Sequence, residues 1–339
     1  MIAPNSFGDT GSAPALAQLG PVMAAGGPEL ARLVGRTEER LEQVARSHGP
    51  ELGRHAEATL LAGGKRLRPI LLFLCSGVVD DDRPLQAAVA VELLHMATLV
   101  HDDVLDHATL RRGRPTVFQS AGRRVATATG DLLFSRAFAE LAAAGSADAV
   151  RTLSLASSAL ARGELLQRED AWSSMVTPER YLERCELKTA RLFEAACRLG
   201  ATFGSPGPAA ADALGRYGAR IGIAFQIFDD VLDISGPTRR TGKTRGADLR
   251  DGTVTLPLIF ARRIDAELAH LDLRTEVLIL GRSEELCDRI QATGALTEAR
   301  DQALTYVAEA KEALEEVDLS EDQRAALHLV ADGVVERYA

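Results

Sequence analysis

The segment Asp102-Asp103-Val104-Leu105-Asp106 recurs, residue for residue, at Asp229-Asp230-Val231-Leu232-Asp233, more than a hundred positions on. Each copy lies inside an apolar stretch, residues 99–105 and 221–234, where an unpaired carboxylate is costly to bury. A cation has to compensate them, and Mg²⁺, which takes carboxylate, water and phosphate oxygens, is the simplest candidate. On a helix Asp102 and Asp106 project from nearly one face, with His95 seven positions earlier on the same stripe. Gln226, Asp229, Asp230 and Asp233 make a comparable stripe on a second helix. The fold must therefore bring two helices together, each with ligand oxygens on one side and apolar packing on the other. One such cluster is as readily a solvated helix end. Two copies in apolar surroundings, both followed by basic segments, point to several Mg²⁺ ions around one diphosphate.

The rest of the chain agrees with helices. Of 339 residues 46% are hydrophobic but only 4% aromatic, and Ala and Leu outnumber β-branched runs, which favours helix over sheet. No alternating apolar and polar pattern lasts long enough for a sheet. The expectation is one large all-α domain over residues 29–339, behind a flexible tail over 1–28 that is rich in Gly, Pro, Ala and Ser. Thr177-Pro178-Glu179 reads as a helix start and Gly200 as its stop, and the next helix should run to about Ser235. Ser320-Glu321-Asp322-Gln323 has the form of a capping box opening a final helix. Asp80-Asp81-Asp82-Arg83-Pro84 reads as a solvated turn. The apolar stretch 85–100, interrupted by Glu92 and His95, is too short and polar to span a membrane and reads as a buried helix.

A net charge of -9 argues against a nucleic-acid partner. Basic residues are instead grouped: Lys65, Arg66 and Arg68; Arg111, Arg112 and Arg114; Arg239, Arg240, Lys243 and Arg245. Three compact basic groups on an acidic protein suit a small polyanion. Gly63 and Gly64 allow close backbone approach beside Lys65 and Arg68, whose charged donors match phosphate. Adjacent cations at Arg111, Arg112 and Arg114 would repel one another without an anion. Residues 241–246 look like a mobile basic flap. Cys75, Cys185, Cys197 and Cys287 form no CxxC pair and read as buried, reduced thiols of a cytoplasmic protein. No charged segment followed by an apolar core marks a secretory signal at the start of the chain.

These residues resemble the trans-type polyprenyl diphosphate synthases over about residues 40–339. The matching segments, in order, are GGKRLRP (63–69), ELLHMATLVHDDVLD (92–106), LRRGRPT (110–116), GDLLFSRAF (130–138), GELLQ (163–167), LKTARLFEAA (187–196), FQIFDDVLDISG (225–236) and GKTRGADLRDGTVTLPL (242–258). The resemblance implies the all-helical isoprenoid synthase fold, usually as a homodimer, with a cavity between the acidic helices. It implies Mg²⁺, about three ions per site bridged by diphosphate, held by Asp102, Asp106 and Asp229 with Asp103, Asp230 and Asp233 in support. Lys65, Arg68, His95 and Arg112 resemble the family's isopentenyl diphosphate site. Arg111, Lys188, Thr189, Gln226 and Lys243 resemble its allylic diphosphate site. One departure stands out: many members carry a lysine where this chain has Thr253, so that phosphate contact is missing or comes from elsewhere, Arg245 or Arg250 being the candidates.

The implied chemistry is ionisation of an allylic diphosphate, attack by the double bond of isopentenyl diphosphate on the cation, and proton loss. Catalysis would rest on electrostatics and positioning by Asp102, Asp103, Asp106, Lys188, Asp229, Asp230 and Lys243, with water excluded. Ala97 and Thr98 are small where short-chain members place bulky aromatics as a cavity floor. The cavity should then run on between the helices bearing Ala97 and residues 134–138, and the product should exceed farnesyl length. The alternatives are a geranylgeranyl or other short-chain synthase, a class I terpene cyclase, and a non-catalytic subunit that binds prenyl diphosphates. The repeated DDxxD, GGKRLRP and paired arginines count against the cyclase, and the retention of both acidic motifs counts against the subunit.

Overall fold

A computed structural model of the protein describes residues 19–236 and 245–336. In chain order its helices are α1 (Gly20–Ala25), α2 (Gly27–Arg46), α3 (Pro50–Leu61), α4 (Leu67–Ser76), α5 (Asp82–Leu105), α6 (Val117–Ala143), α7 (Ala147–Asp170) and α8 (Pro178–Cys185). A π-helical turn, Glu186–Ala190, leads into α9 (Arg191–Phe203) and α10 (Ala211–Ser235). After these come α11 (Ala247–Arg250), α12 (Leu256–Ile264), α13 (Ala266–His270), α14 (Leu273–Glu276), α15 (Arg282–Ala292), α16 (Ala295–Leu314) and α17 (Glu321–Glu336). Among the described residues the sole sheet is a hairpin of β1 (Leu110–Arg111) and β2 (Arg114–Pro115), with Arg111 opposite Arg114. Its turn residues, Arg112 and Gly113, both have positive φ (53° and 75°), the backbone a tight two-residue hairpin demands. The second basic group thus sits on a rigid turn.

Side-chain acceptors fix where the long helices begin. Asp81, Thr116, Ser146 and Thr177 accept backbone N–H bonds from Arg83, Gln119, Ala149 and Arg180, opening α5, α6, α7 and α8. Each such cap is worth about 1 kcal/mol. The acidic turn at 80–82 therefore doubles as a helix start, and Arg32 and Arg36 pair with Asp80, Arg36 also with Asp82. Only half of the capping box at α17 forms. Ser320 accepts from Gln323 N, while the Gln323 side chain donates to Leu74 O at 2.7 Å, satisfying a carbonyl in the last turn of α4.

One apolar core runs from Leu19 to Val334, with α9 at its centre against α4, α5, α7 and α10. Nine of the thirteen residues of α9 are buried, five of them Ala or Gly or Cys. Small residues let its neighbours approach: a Cβ on Gly200 would lie 2.3 Å from Leu72 O, and one on Gly218 would lie 2.6 Å from Phe193 O. Gly200 is accordingly not the stop expected from the sequence. The helix continues to Phe203 and ends at Gly204, because Gly200 serves close packing and not chain reversal. The tail boundary also moves. α1 and the first residues of α2 lie within 20–28, on either side of Gly26, and Val22 is buried; α1 packs on α17. Residues 1–18 lie outside the described residues. No helix among those described is long and apolar enough to cross a membrane, and the helix over 82–105 is core, as expected.

Candidate active site between the acidic helices

The two acidic motifs end α5 and α10, and the π-helical turn lies between them. Gly163 on α7 makes room for that turn, since a Cβ there would meet Lys188 N at 2.6 Å. The wider turn lets adjacent residues serve opposite walls. Lys188 Nζ reaches Glu164 Oε2 of α7 at 2.5 Å and lies 3.9 Å from Asp102 Oδ2 of α5. Thr189 donates to Gln226 Oε1 at 2.8 Å, and Gln226 Nε2 donates to Asp230 Oδ1 at 2.8 Å. Lys188 and Thr189, neighbours along the chain, thus touch the first and the second acidic helix respectively, Thr189 through Gln226.

Their carboxylates are held differently. Burial pushes Asp102 up to about 6, against the pull of Lys188 and with further upward push from Glu164 and Asp106. Asp103 is buried and also raised by burial, although Arg111 binds it from Nε (2.8 Å) and Nη2 (2.7 Å). Asp106 is exposed and accepts from Arg168 Nη2 at 2.9 Å. On the other helix Asp230 is 4% exposed, and burial raises it to about 7 although Tyr181 and Gln226 both donate to it. Tyr181 Oη lies 2.6 Å from Asp230 Oδ2, so each carboxylate oxygen has a donor. Asp233 accepts the backbone N–H groups of Ala247 and Asp248, at 3.1 and 3.2 Å, and so caps α11. Asp229 is half-buried beside them. No three Asp, Glu, His or Cys side chains among the described residues stand close enough to cage a metal unaided.

The first basic group converges with the hairpin. A small pocket of about 60 Å³ is lined by Gly63, Arg66, His95, Asp103, Arg111 and Arg112, among others. Burial, then the charges of Arg68, Arg112, Arg111 and Arg66, hold His95 well below the usual imidazole range, so the ring is neutral at pH 7. Arg68 stacks on Phe193, its Cζ 4.5 Å from the ring centroid, with a buried Nε that has no hydrogen-bond partner. Burial lowers it to about 10, opposed by Glu92 and aided by Arg112. A buried donor of this kind in a cationic pocket is prepared for an anion. Arg66 is spoken for: it pairs with Glu92 at 2.8 Å and Glu38 at 2.5 Å. Lys65 is half-buried beside it.

Some expectations move. Arg245, a candidate to replace the lysine missing at Thr253, has its guanidinium on Ile234 O, Asp288 and Gln291. Arg250 donates to Arg245 O. Lys243, Arg239 and Arg240, with most of the expected flap, lie outside the described residues. Ala97 is wholly buried on α5, and the Thr98 hydroxyl donates to His95 O. Glu164, Arg168 and Tyr181 were not singled out from sequence. Glu164 and Arg168 carried a signal, opposite charges at i and i+4 beside GELLQ; Tyr181 carried none.

The polyprenyl synthetase family model matches residues 50–277. The chain is 42% identical over 246 residues to component 2 of heptaprenyl diphosphate synthase from Geobacillus stearothermophilus, covering 71% of this chain and 77% of that one. It is 36% identical to geranylgeranyl diphosphate synthase from Methanosarcina mazei, over 81% of this chain and 86% of that one. Among solved structures, a polyprenyl synthase from Caulobacter crescentus, complexed with calcium and isoprenyl diphosphate, superposes with a TM-score of 0.84 at 34% identity, covering 99% of this chain and 100% of that one. Opposed acidic helices, a cationic pocket beside them and these relatives agree: the chain belongs to the polyprenyl synthetase family and is a trans-prenyltransferase that makes a polyprenyl diphosphate.

Proposed function

We propose that the chain joins isopentenyl diphosphate to an allylic diphosphate and makes a product longer than farnesyl diphosphate. The observation that carries this is the π-helical turn, where Lys188 lies 3.9 Å from Asp102 and the adjacent Thr189 binds Gln226, which binds Asp230. Asp102, Asp106 and Asp229 would hold Mg²⁺, with Asp103, Asp230 and Asp233 positioning them. The donor set fits: hard carboxylate oxygens, one of them buried without full compensation, and too few to close a cage until diphosphate oxygens and water join. Bound Mg²⁺ neutralises the leaving diphosphate and eases C–O ionisation. Lys188 and Arg111 add charge at the allylic diphosphate, as would Lys243. Lys65, Arg68, neutral His95 and Arg112 orient isopentenyl diphosphate so that its double bond faces the cation. The proton is then lost to the released diphosphate. The apolar faces of α5 and α10 keep water from quenching the cation.

The longer product rests on Ala97 and Thr98, small residues about one turn below Asp102 on α5. Mass spectrometry of products from isopentenyl diphosphate, Mg²⁺ and each of three allylic primers tests the reaction. Ala97→Phe is expected to shorten the product, and an unchanged chain length would refute the floor. The geranylgeranyl synthase among the relatives supports a second, shorter-product reading, which the same spectra decide. We place the enzyme in the cytoplasm, in keeping with four buried, unpaired thiols, and working as a homodimer. Since a relative is named as one component of a heptaprenyl synthase, turnover by the purified chain alone is the control for a partner subunit.

A further inference from the structure

Besides Arg111 on Asp103, two cations lean on the first acidic motif, and of these two the sequence singled out only Lys188. The other is Arg168, in the last turn of α7. Its Nη2 donates to Asp106 Oδ1 at 2.9 Å, and its Nε lies 3.2 Å from Glu164 Oε1. Glu164 in turn holds Lys188 at 2.5 Å. One carboxylate of α7 therefore steadies a lysine over Asp102 and an arginine over Asp106. If Asp102 and Asp106 take a metal, both cations must leave them, and each retains Glu164 as a partner when it does. The Arg168 side chain is 42% exposed against 24% for Lys188, so it has room to swing. Its fork of N–H donors matches a diphosphate better than a single carboxylate oxygen.

The position of this arginine is fixed from behind. One turn on, Trp172 donates its backbone N–H to Gly252 O at 2.8 Å, and its indole covers Gly252 so closely that a Cβ there would meet the ring at 2.2 Å. The end of α7 is thus docked on the segment that carries Thr253. We propose that Arg168 is a diphosphate-binding residue of the allylic site, resting on Asp106 in the metal-free chain and moving to the diphosphate when metal-bound substrate enters. This rests on the function proposed above.

The test begins with the wild-type chain, isopentenyl diphosphate, farnesyl diphosphate and Mg²⁺. Absence of condensation there refutes the function itself, and this inference with it. Given turnover, Arg168→Gln is compared by titration calorimetry with inorganic diphosphate in the presence of Mg²⁺, and by steady-state kinetics. The expected result is a roughly 10- to 100-fold weaker diphosphate Kd and a matching rise in allylic KM, with the KM for isopentenyl diphosphate and the melting temperature nearly unchanged. Arg168→Lys should recover part of the loss. A lysine returned from across the Trp172–Gly252 contact, in Arg168→Gln with Thr253→Lys, should recover part as well. Unchanged or tighter diphosphate binding in Arg168→Gln would overturn the proposal, since the arginine would then merely have screened Asp106. Equal losses for both substrates together with a lower melting temperature would overturn it too.

Discussion

The two DDxxD segments are identical in sequence and unlike in setting. On α5 the carboxylates are met by side-chain cations: Lys188 near Asp102, Arg111 on Asp103, Arg168 on Asp106. On α10 two of the three have neutral scaffold donors: Tyr181 and Gln226 on Asp230, and two backbone N–H groups on Asp233. Arg168 and Lys188 can be traded for other positive charge, whereas Tyr181 and the N-terminus of α11 cannot leave. The first motif is therefore an exchangeable site and the second a braced one, a distinction the shared pattern conceals.

The contrast can be broken at its strongest point. Asp102→Ala should lower kcat by about 10³-fold or more, the scale for removing a group that supports transition-state charge, while the metal-free chain melts no lower than wild type. A fall in melting temperature would mean that Asp102 braces the fold instead. Next is pH. Asp102 and Asp230 are both raised, to about 6 and about 7, so between about pH 4 and 7 the folded chain holds protons that the unfolded chain has lost. Metal-free stability should fall as pH rises through that window, by roughly 3 kcal/mol for Asp102 alone. Mg²⁺ with diphosphate should flatten the slope in thermal melts. A stability that climbs over the same window would contradict the burial of these carboxylates.

Tyr181→Phe strips a donor from buried Asp230 and should cost about 1–3 kcal/mol in urea unfolding. Its turnover should fall far less than that of Asp102→Ala. Smallest is Asp233→Ala, which uncaps α11 and should cost about 1 kcal/mol. A loss of Mg²⁺ dependence in Asp233→Ala, with unfolding unchanged, would make Asp233 a metal ligand and erase the difference between the two motifs.

Local chemistry made much of this visible beforehand. Thr177-Pro178, the buried helix over 85–100 and the helix to Ser235 are written in caps and apolar periods, though Asp82, Arg83 and Pro84, read as turn, already belong to α5; the four cysteines proved buried and unpaired. Gly200 was misread because a packing glycine and a terminating glycine look alike until the neighbouring helix is in place. The helical start at Gly20 was hidden by a composition that also suits a loose tail. Arg168 and Tyr181 gain meaning only from Asp106 and Asp230, partners 62 and 49 positions away. The basic run 111–114 signalled an anion site, but its hairpin turn, which sets a cation beside neutral His95, depends on tertiary contacts.

The π-helical turn at Glu186–Ala190 has a consequence for how this site can vary. Tyr181 and Lys188 sit on one nearly continuous rod yet address opposite walls, because the extra residue rotates the part before it against the part after it. Removing one residue there would restore an ordinary α-helical register and turn one set of contacts away from its wall. The segment should thus tolerate exchange of exposed side chains far better than any change in its length.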